Sequence, residues 1–122
     1  MRKRTAVLTE QELEIMKVVW DRGNVTVRDV YESLLERRKV AYTTVMTMMK
    51  ILEDKGHLKK RGGEKAYVYS AAEAKHKVLA GMVREFVGRV FNGSAKPLLV
   101  HLVESEEISP EELSELLKKG KS

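Results

Sequence analysis

The sequence contains no cysteine among its 122 residues. Disulfide frameworks, thiolate nucleophiles and cysteine-ligated zinc or iron–sulfur centres are therefore excluded. Long hydrophobic runs are also missing, and a run such as that from Leu98 to Val100 is only a few residues long. A membrane-spanning helix needs about 20 apolar residues, and the chain carries no apolar signal segment. We therefore expect a cytoplasmic protein with no membrane partner.

Residue patterns typical of catalysis are scarce as well. The three histidines, His57, His76 and His101, lie far apart and in none of the spacings of a metal site. The adjacent glycines Gly62 and Gly63 fit a hairpin turn better than a phosphate-binding loop. We therefore expect a protein that is not an enzyme and that uses no cofactor and no metal.

Positive charge is present in excess and is concentrated in one part of the chain. The formal net charge is +5, and all of it falls in residues 1–71, because residues 72–122 carry eight basic and eight acidic residues. Residues 37–65 alone hold nine basic and three acidic residues. Such a segment is typical of a surface that binds a polyanion, and a solvated basic surface without a ligand is the alternative.

Helix signals fill the first part of the chain. Thr9 with Glu12 and Thr26 with Asp29 are capping boxes, and apolar residues at helical spacing follow each of them. A third helix is predicted from about Tyr42 to about residue 55. Its inward face consists of Val45, Met48, Met49 and Leu52.

Two short strand-like runs on either side of the glycine pair predict a basic β-hairpin over about residues 58–69. We expect Tyr67 and Tyr69 to pack this hairpin against the helices, and stacking on nucleic-acid bases is the alternative. Three helices and a hairpin give a mainly α domain over residues 1–71. Because its core positions are filled with Met, Leu and Val, we have no reason to expect a small-molecule pocket there.

Residues 72–122 form a second region of three predicted helices. The region carries more apolar surface than a thin, neutral arm can bury alone, and a second copy of the chain is the simplest way to cover it. We therefore expect a homodimer. The candidate dimerisation residues are Leu79, Val83, Phe86, Leu98, Leu102, Leu113 and Leu117.

The outer face of the third helix carries the residue types that the major groove of DNA accepts. Thr47 offers a hydroxyl and a methyl group, and Lys50 offers a donor for guanine or phosphate. The hairpin lysines and arginine can follow the adjacent DNA backbone. The candidate DNA contacts are Tyr42, Thr43, Thr44, Met46, Thr47 and Lys50 on the helix and Lys59, Lys60, Arg61 and Lys65 on the hairpin.

The chain resembles the penicillinase and methicillin-resistance repressor family in three stretches. These are residues 8–20, residues 41–56 with the sequence AYTTVMTMMKILEDKG, and the segment from Phe91 onward. The resemblance covers nearly the whole chain. It implies a winged helix-turn-helix domain, a C-terminal dimerisation arm, and repression of transcription by binding a palindromic operator in double-stranded DNA. Residues 43–55 then correspond to the recognition helix and residues 58–69 to the wing.

The chain departs from the family pattern at two points. Family members that sense copper carry a C-terminal cysteine cluster, which this chain lacks. The resistance repressors are inactivated by a sensor protease that cuts an Asn–Phe bond in the arm, and His101 and Leu102 stand at the matching position. The resemblance implies a sensor protease as a partner, with this bond as the candidate cleavage site.

The resulting hypothesis is a homodimeric winged-helix transcriptional repressor. One alternative is a nucleoid-type protein that binds DNA with little sequence preference. Another is a winged helix used only for protein–protein assembly, and the basic excess on the third helix and the hairpin argues against it.

Overall fold

The computed structural model describes residues 8–120, which form six helices and three short strands. In chain order these are α1 (Glu10–Arg22), β1 (Asn24–Val25), α2 (Val27–Leu35), α3 (Tyr42–Asp54), β2 (Leu58–Gly62), β3 (Tyr67–Ala71), α4 (Lys75–Val90), α5 (Lys96–Glu104) and α6 (Pro110–Gly120). The chain divides into two compact units between Met82 and Val83, within α4. The predicted fold class, mainly helical with a small β-hairpin, is confirmed.

The first two helices begin at the predicted capping boxes. The Thr9 hydroxyl accepts a hydrogen bond from the Glu12 amide at 3.1 Å, and the Glu12 carboxylate accepts one from the Thr9 amide at 2.9 Å. Thr26 and Asp29 repeat this arrangement with the same two distances, 3.1 and 2.9 Å. Both boxes satisfy backbone amides that a helix start leaves without partners.

The hairpin belongs to a sheet of three antiparallel strands in the order β1–β3–β2. Strands β2 and β3 pair with Lys60 opposite Tyr69 and Arg61 opposite Val68. The sequence did not predict β1, which has two residues and pairs Val25 with Tyr69. A strand this short has no periodicity of its own, so the pairing depends on a β3 that lies far away in the sequence.

The hydrophobic core of the first unit lies between α1, α2, α3 and the sheet. Its fully buried side chains, each less than 2% exposed, are Ile15, Met16, Val19, Val25, Val30, Leu34, Val45, Met49 and Leu52. Leu58 and Tyr69 close the core from the sheet side. Burying this apolar surface stabilises the unit and fixes which face of α3 points outward.

The second unit consists of the end of α4, with α5 and α6. The rings of Phe86 and Phe91 meet edge to face with centroids 5.8 Å apart, and Ser109 and Glu112 form a capping box at the start of α6. Among the described residues from Val83 onward, Val87 is the one buried hydrophobic side chain. This unit therefore has almost no core within a single chain.

Candidate nucleic-acid interface

Helix α3 presents its polar side to solvent because its opposite side is locked into the core. Val45, Met49 and Leu52 are at most 1% exposed. All six candidate DNA contacts of this helix, Tyr42, Thr43, Thr44, Met46, Thr47 and Lys50, are exposed. The Tyr42 ring and the Tyr31 ring of α2 meet edge to face with centroids 5.3 Å apart, which helps to hold the first turn of α3 in place.

The wing, which we define as β2, β3 and the turn between them, continues this exposed face. Lys59, Lys60, Arg61 and Lys65 all stand at exposed positions. The Lys60 ammonium lies 3.7 Å from the Glu53 carboxylate of α3 and 4.4 Å from the centroid of the Tyr67 ring. The ion pair thus links the wing to α3, and the cation–π contact joins the two strands of the wing to each other.

The two wing tyrosines have different environments. Tyr69 is 7% exposed and packs in the core as expected, whereas Tyr67 is 58% exposed. The expectation that Tyr67 packs the hairpin against the helices is therefore wrong. The two side chains lie on the same face of β3, because they are two residues apart. They differ in position along the strand, since Tyr69 pairs with Val25 of β1 and Lys60 of β2. Tyr67 instead stands opposite Gly62 near the turn, beyond the end of β1. Burial raises the pKa of Tyr69, despite the opposing Lys60 charge, so that its hydroxyl stays protonated at neutral pH.

A cleft of about 730 Å³ opens between α3, the wing and the start of α2. It brings together five of the ten candidate DNA contacts. These five are Tyr42, Met46, Lys50, Lys60 and Lys65. The other five candidates are not part of its lining. The core packing that gave no reason to expect a small-molecule pocket concerns the opposite face of α3, whereas the cleft lies on its outer face.

Sequence reasoning missed two charged residues that line the cleft, Arg28 and Glu53. Glu53 follows Met46 and Lys50 at spacings of seven and three residues, which places all three on one helix face and was a usable signal. Arg28 lies in the first turn of α2, where its ion pair with Glu32 at 3.4 Å gives it an ordinary surface role. Nothing in its sequence surroundings indicates its position beside α3.

The histidines are not gathered into a metal site. Among the described residues, no three side chains of His, Asp or Glu are placed to hold a metal ion. His57 is buried, whereas His76 and His101 are exposed. Nor does any helix of residues 8–120 have the length and apolar character to cross a membrane.

The candidate dimerisation residues remain partly or fully accessible in the single chain. Val83, Phe86 and Leu117 are 56%, 41% and 59% exposed. The other four, Leu79, Leu98, Leu102 and Leu113, are half-buried. The candidate cleavage bond between His101 and Leu102 lies within α5, where the His101 carbonyl accepts a hydrogen bond from the Ser105 amide at 2.9 Å.

Comparison with known proteins identifies the family. The model of the penicillinase repressor family matches residues 8–121. The chain belongs to this family. It is 25% identical over 114 residues to a penicillinase repressor of Bacillus licheniformis, covering 93% of this chain and 89% of that one. It is 33% identical over 99 residues to the transcriptional regulator BlaI of Mycobacterium tuberculosis, covering 80% of this chain and 72% of that one.

Solved structures agree with the winged-helix fold. The solution structure of the DNA-binding domain of the repressor BlaI matches with a TM-score of 0.55 and 27% identity, covering 62% of this chain and 90% of that one. A monomeric form of Bacillus licheniformis BlaI in complex with the blaP half-operator matches with a TM-score of 0.52, the same 27% identity and the same coverage. The family, the winged-helix fold and the repressor class predicted from the sequence are thereby confirmed.

Proposed function

We propose that the chain is a sequence-specific DNA-binding transcriptional repressor that acts as a homodimer on a palindromic operator. In this proposal α3 lies in the major groove and the wing lies along the DNA backbone. The observation that carries it is the continuous exposed face formed by α3 and the wing, on which threonines and basic side chains stand opposite a fully buried core face. The BlaI complex with a half-operator, a family member of the same fold, supports the assignment.

Base recognition falls to the middle of α3. Thr47 and Lys50 are exposed and lie one turn apart, so both can reach base edges from one helix face. The Lys50 ammonium lies 3.9 Å from the Asp54 carboxylate, and both side chains are largely exposed, at 73% and 53%. Such a surface ion pair contributes about 0–1 kcal/mol, so Lys50 can leave it for DNA at little cost.

Phosphate contact falls to the wing and to the start of α3. Lys59, Arg61 and Lys65 project from exposed wing positions, and Thr43 and Thr44 stand at the first turn of α3. The N-cap residue Ala41 makes no side-chain cap, so amides of this turn remain available to an anion. These contacts orient the domain on DNA without reading its sequence.

Dimerisation falls to the second unit. Its apolar side chains have almost no core to enter within one chain, and three of the candidate residues exceed 40% exposure. A two-fold contact would cover them and present two copies of α3 to successive major grooves, about 34 Å apart. The operator is then a palindrome with half-sites one helical turn, or a multiple of one turn, apart.

The arm also offers a way to end repression. The bond between His101 and Leu102 lies in a helical turn, so a protease must unwind this part of α5 to reach it. Cutting it would separate the helices before and after the break and weaken the tether between two DNA-binding units. The test is to nick purified protein within residues 94–104 and to measure operator affinity. We expect a large loss, and unchanged affinity after complete cleavage would rule this route out.

Selection of binding sites from a random DNA pool tests the central proposal. We expect enrichment of one palindromic sequence, and we expect shuffled competitor DNA to displace the protein from it poorly. Binding to all sequences alike would favour the nucleoid-type alternative. No binding at all would favour protein–protein assembly.

A further inference from the structure

The cleft between α3, the wing and the start of α2 has features that DNA binding alone does not require. We propose that it binds a small planar aromatic anion and that this ligand competes with DNA for the same face. The competition rests on the proposed function, because the cleft shares residues with the proposed DNA interface. The binding of the ligand itself does not depend on that function.

The dimensions and walls of the cleft suit an aromatic ligand. Its volume of about 730 Å³ falls within the range of ligand pockets, about 300–1,000 Å³. Met46 and Tyr67 line it with side chains that are 48% and 58% exposed, and the buried Tyr69 also contributes to the lining. Met46 on α3 and Tyr67 on the wing expose large side chains to water, and covering them with a flat apolar group is favourable because it removes apolar surface from water. A thioether and aromatic rings are also favourable contacts for an aromatic ring.

The charges around the cleft select an anion. Four cationic side chains line it, Arg28, Lys50, Lys60 and Lys65, against one carboxylate, that of Glu53. Lys60 pairs with that carboxylate. Arg28 and Lys50 pair with Glu32 and Asp54 at 3.4 and 3.9 Å. Such surface ion pairs are weak, so these cations can turn to a ligand carboxylate at little cost. A ligand carboxylate at the rim would therefore meet a positive potential while its ring lies on the apolar lining.

Occupancy of the cleft interferes directly with the DNA interface. A ligand there would cover Tyr42 and Met46 of α3 and would engage Lys50, Lys60 or Lys65, all of which are proposed DNA contacts. Simple competition multiplies the apparent Kd for DNA by one plus the ratio of free ligand to its own Kd. Ligand at ten times its Kd is expected to weaken the binding of one chain to a half-site about elevenfold, and that of a dimer, with one cleft in each chain, to the full operator about 120-fold.

Naphthoate is a suitable probe, and its uncharged amide, naphthamide, is the matched control for charge. We expect calorimetric titration of the full chain, without DNA, to show one naphthoate bound per chain and naphthamide bound at least tenfold more weakly. Operator titrations at fixed naphthoate concentrations are then expected to show the competitive weakening calculated above. Absence of naphthoate binding at millimolar concentration overturns the proposal, as does bound naphthoate that leaves operator affinity unchanged.

Substitutions locate the ligand. Val27 lines the cleft, is half-buried and is not a proposed DNA contact, so Val27→Phe fills the cleft while operator binding persists. Val18→Phe makes the same change on α1 at another half-buried position outside the cleft. We expect Val27→Phe to abolish naphthoate binding and Val18→Phe to retain it. Equal binding by both variants overturns the assignment of the site.

Arg28→Gln is a second test of the site. Because Arg28 is exposed, this change places no larger side chain in the core and leaves folding intact. It is expected to weaken naphthoate severalfold and to leave naphthamide unchanged, and equal effects on both ligands contradict the proposal. If the ligand-free chain fails to bind any DNA while naphthoate still binds in the cleft, the proposed function fails and the ligand site stands.

Discussion

The carboxylate of Glu12 lies 2.7 Å from the ammonium of Lys55, although 43 positions separate the two residues in the sequence. Glu12 belongs to the first turn of α1, and Lys55 follows directly after α3. The Glu12 side chain is 5% exposed and also accepts the hydrogen bond from the Thr9 amide. One buried carboxylate therefore caps α1 and anchors the C-terminal end of the proposed recognition helix.

Replacing this carboxylate is expected to destabilise the first unit. Glu12→Gln keeps the shape of the side chain and an oxygen for the Thr9 amide, but it leaves the Lys55 ammonium without its counter-ion. We expect the free energy of unfolding to fall by about 1–3 kcal/mol, measured by urea denaturation. Glu10→Gln, in the same helical turn but exposed, is the matched control, and equal losses in both variants would contradict the anchoring role.

The same pair predicts a pH dependence of stability. Burial alone would raise the pKa of Glu12, but the hydrogen bonds and charge of Lys55 and the Thr9 amide outweigh it, so that the pKa lies below its ordinary value of 4.5. A lowered pKa in the folded state means that the stabilisation is complete above pH 4.5 and is lost as the pH falls through the folded-state value. The difference in unfolding free energy between the wild type and Glu12→Gln should therefore be constant near neutral pH and shrink in acid. A difference that grows in acid would have the wrong sign.

Thr47 and Arg61 are expected to affect DNA binding in different ways. Thr47→Val keeps the methyl group and removes the hydroxyl, so loss of a base contact should relax the preference at one position by about 1–3 kcal/mol. Arg61→Ala should weaken specific and random DNA alike and reduce the slope of log K against log salt by about 0.9. Fluorescence anisotropy over a range of salt concentrations measures both effects. Identical behaviour of the two variants would refute the division between base and phosphate contacts.

Glu53 is expected to restrain DNA binding, because it places a negative charge on the face that meets phosphates and holds Lys60 at 3.7 Å. Glu53→Gln removes that charge and releases the ammonium, so affinity for operator and for random DNA should rise severalfold. The salt slope should become steeper as well. Glu36→Gln, an equal change at the exposed C-cap of α2 outside the cleft lining, should have a small effect. Reduced affinity in Glu53→Gln would show that the carboxylate is needed to position the wing.

The proposed dimer contact can be tested at Leu117, which is 59% exposed on α6 of the second unit. Leu117→Lys places a charge where two chains are proposed to meet, so sedimentation should show a shift toward monomer and operator binding should weaken. Glu115→Lys introduces the same side chain at an exposed polar position of the same helix. If both variants, like the wild type, sediment as monomers at micromolar concentration, the dimer proposal is wrong.

Local sequence signals predicted the features that local physics determines. The capping boxes at Thr9 and Thr26 and the inward face of α3 follow from interactions within a few residues, and the structure reproduces them. The pairing of Val25 with Tyr69, the contact of Lys60 with Glu53 and the cleft require segments that meet only after folding. The exposure of Tyr67 was missed because strand alternation places Tyr67 and Tyr69 on the same face. Their difference depends on the pairing of Tyr69 with both β1 and β2, while Tyr67 lies opposite Gly62 near the turn.

The single tryptophan of the chain, Trp20, donates its indole N–H to the Glu73 carbonyl at 3.2 Å, which ties α1 to the segment between β3 and α4. Because indole emission depends on solvent contact, the fluorescence of Trp20 reports, without any added label, on the junction between α1 and the segment around Glu73. Opening of the segment around Glu73 would expose the half-buried Trp20 ring to water and shift its emission to longer wavelength. The proposed DNA face carries tyrosines but no tryptophan among its described residues, so the intrinsic fluorescence reports the junction rather than base stacking on α3.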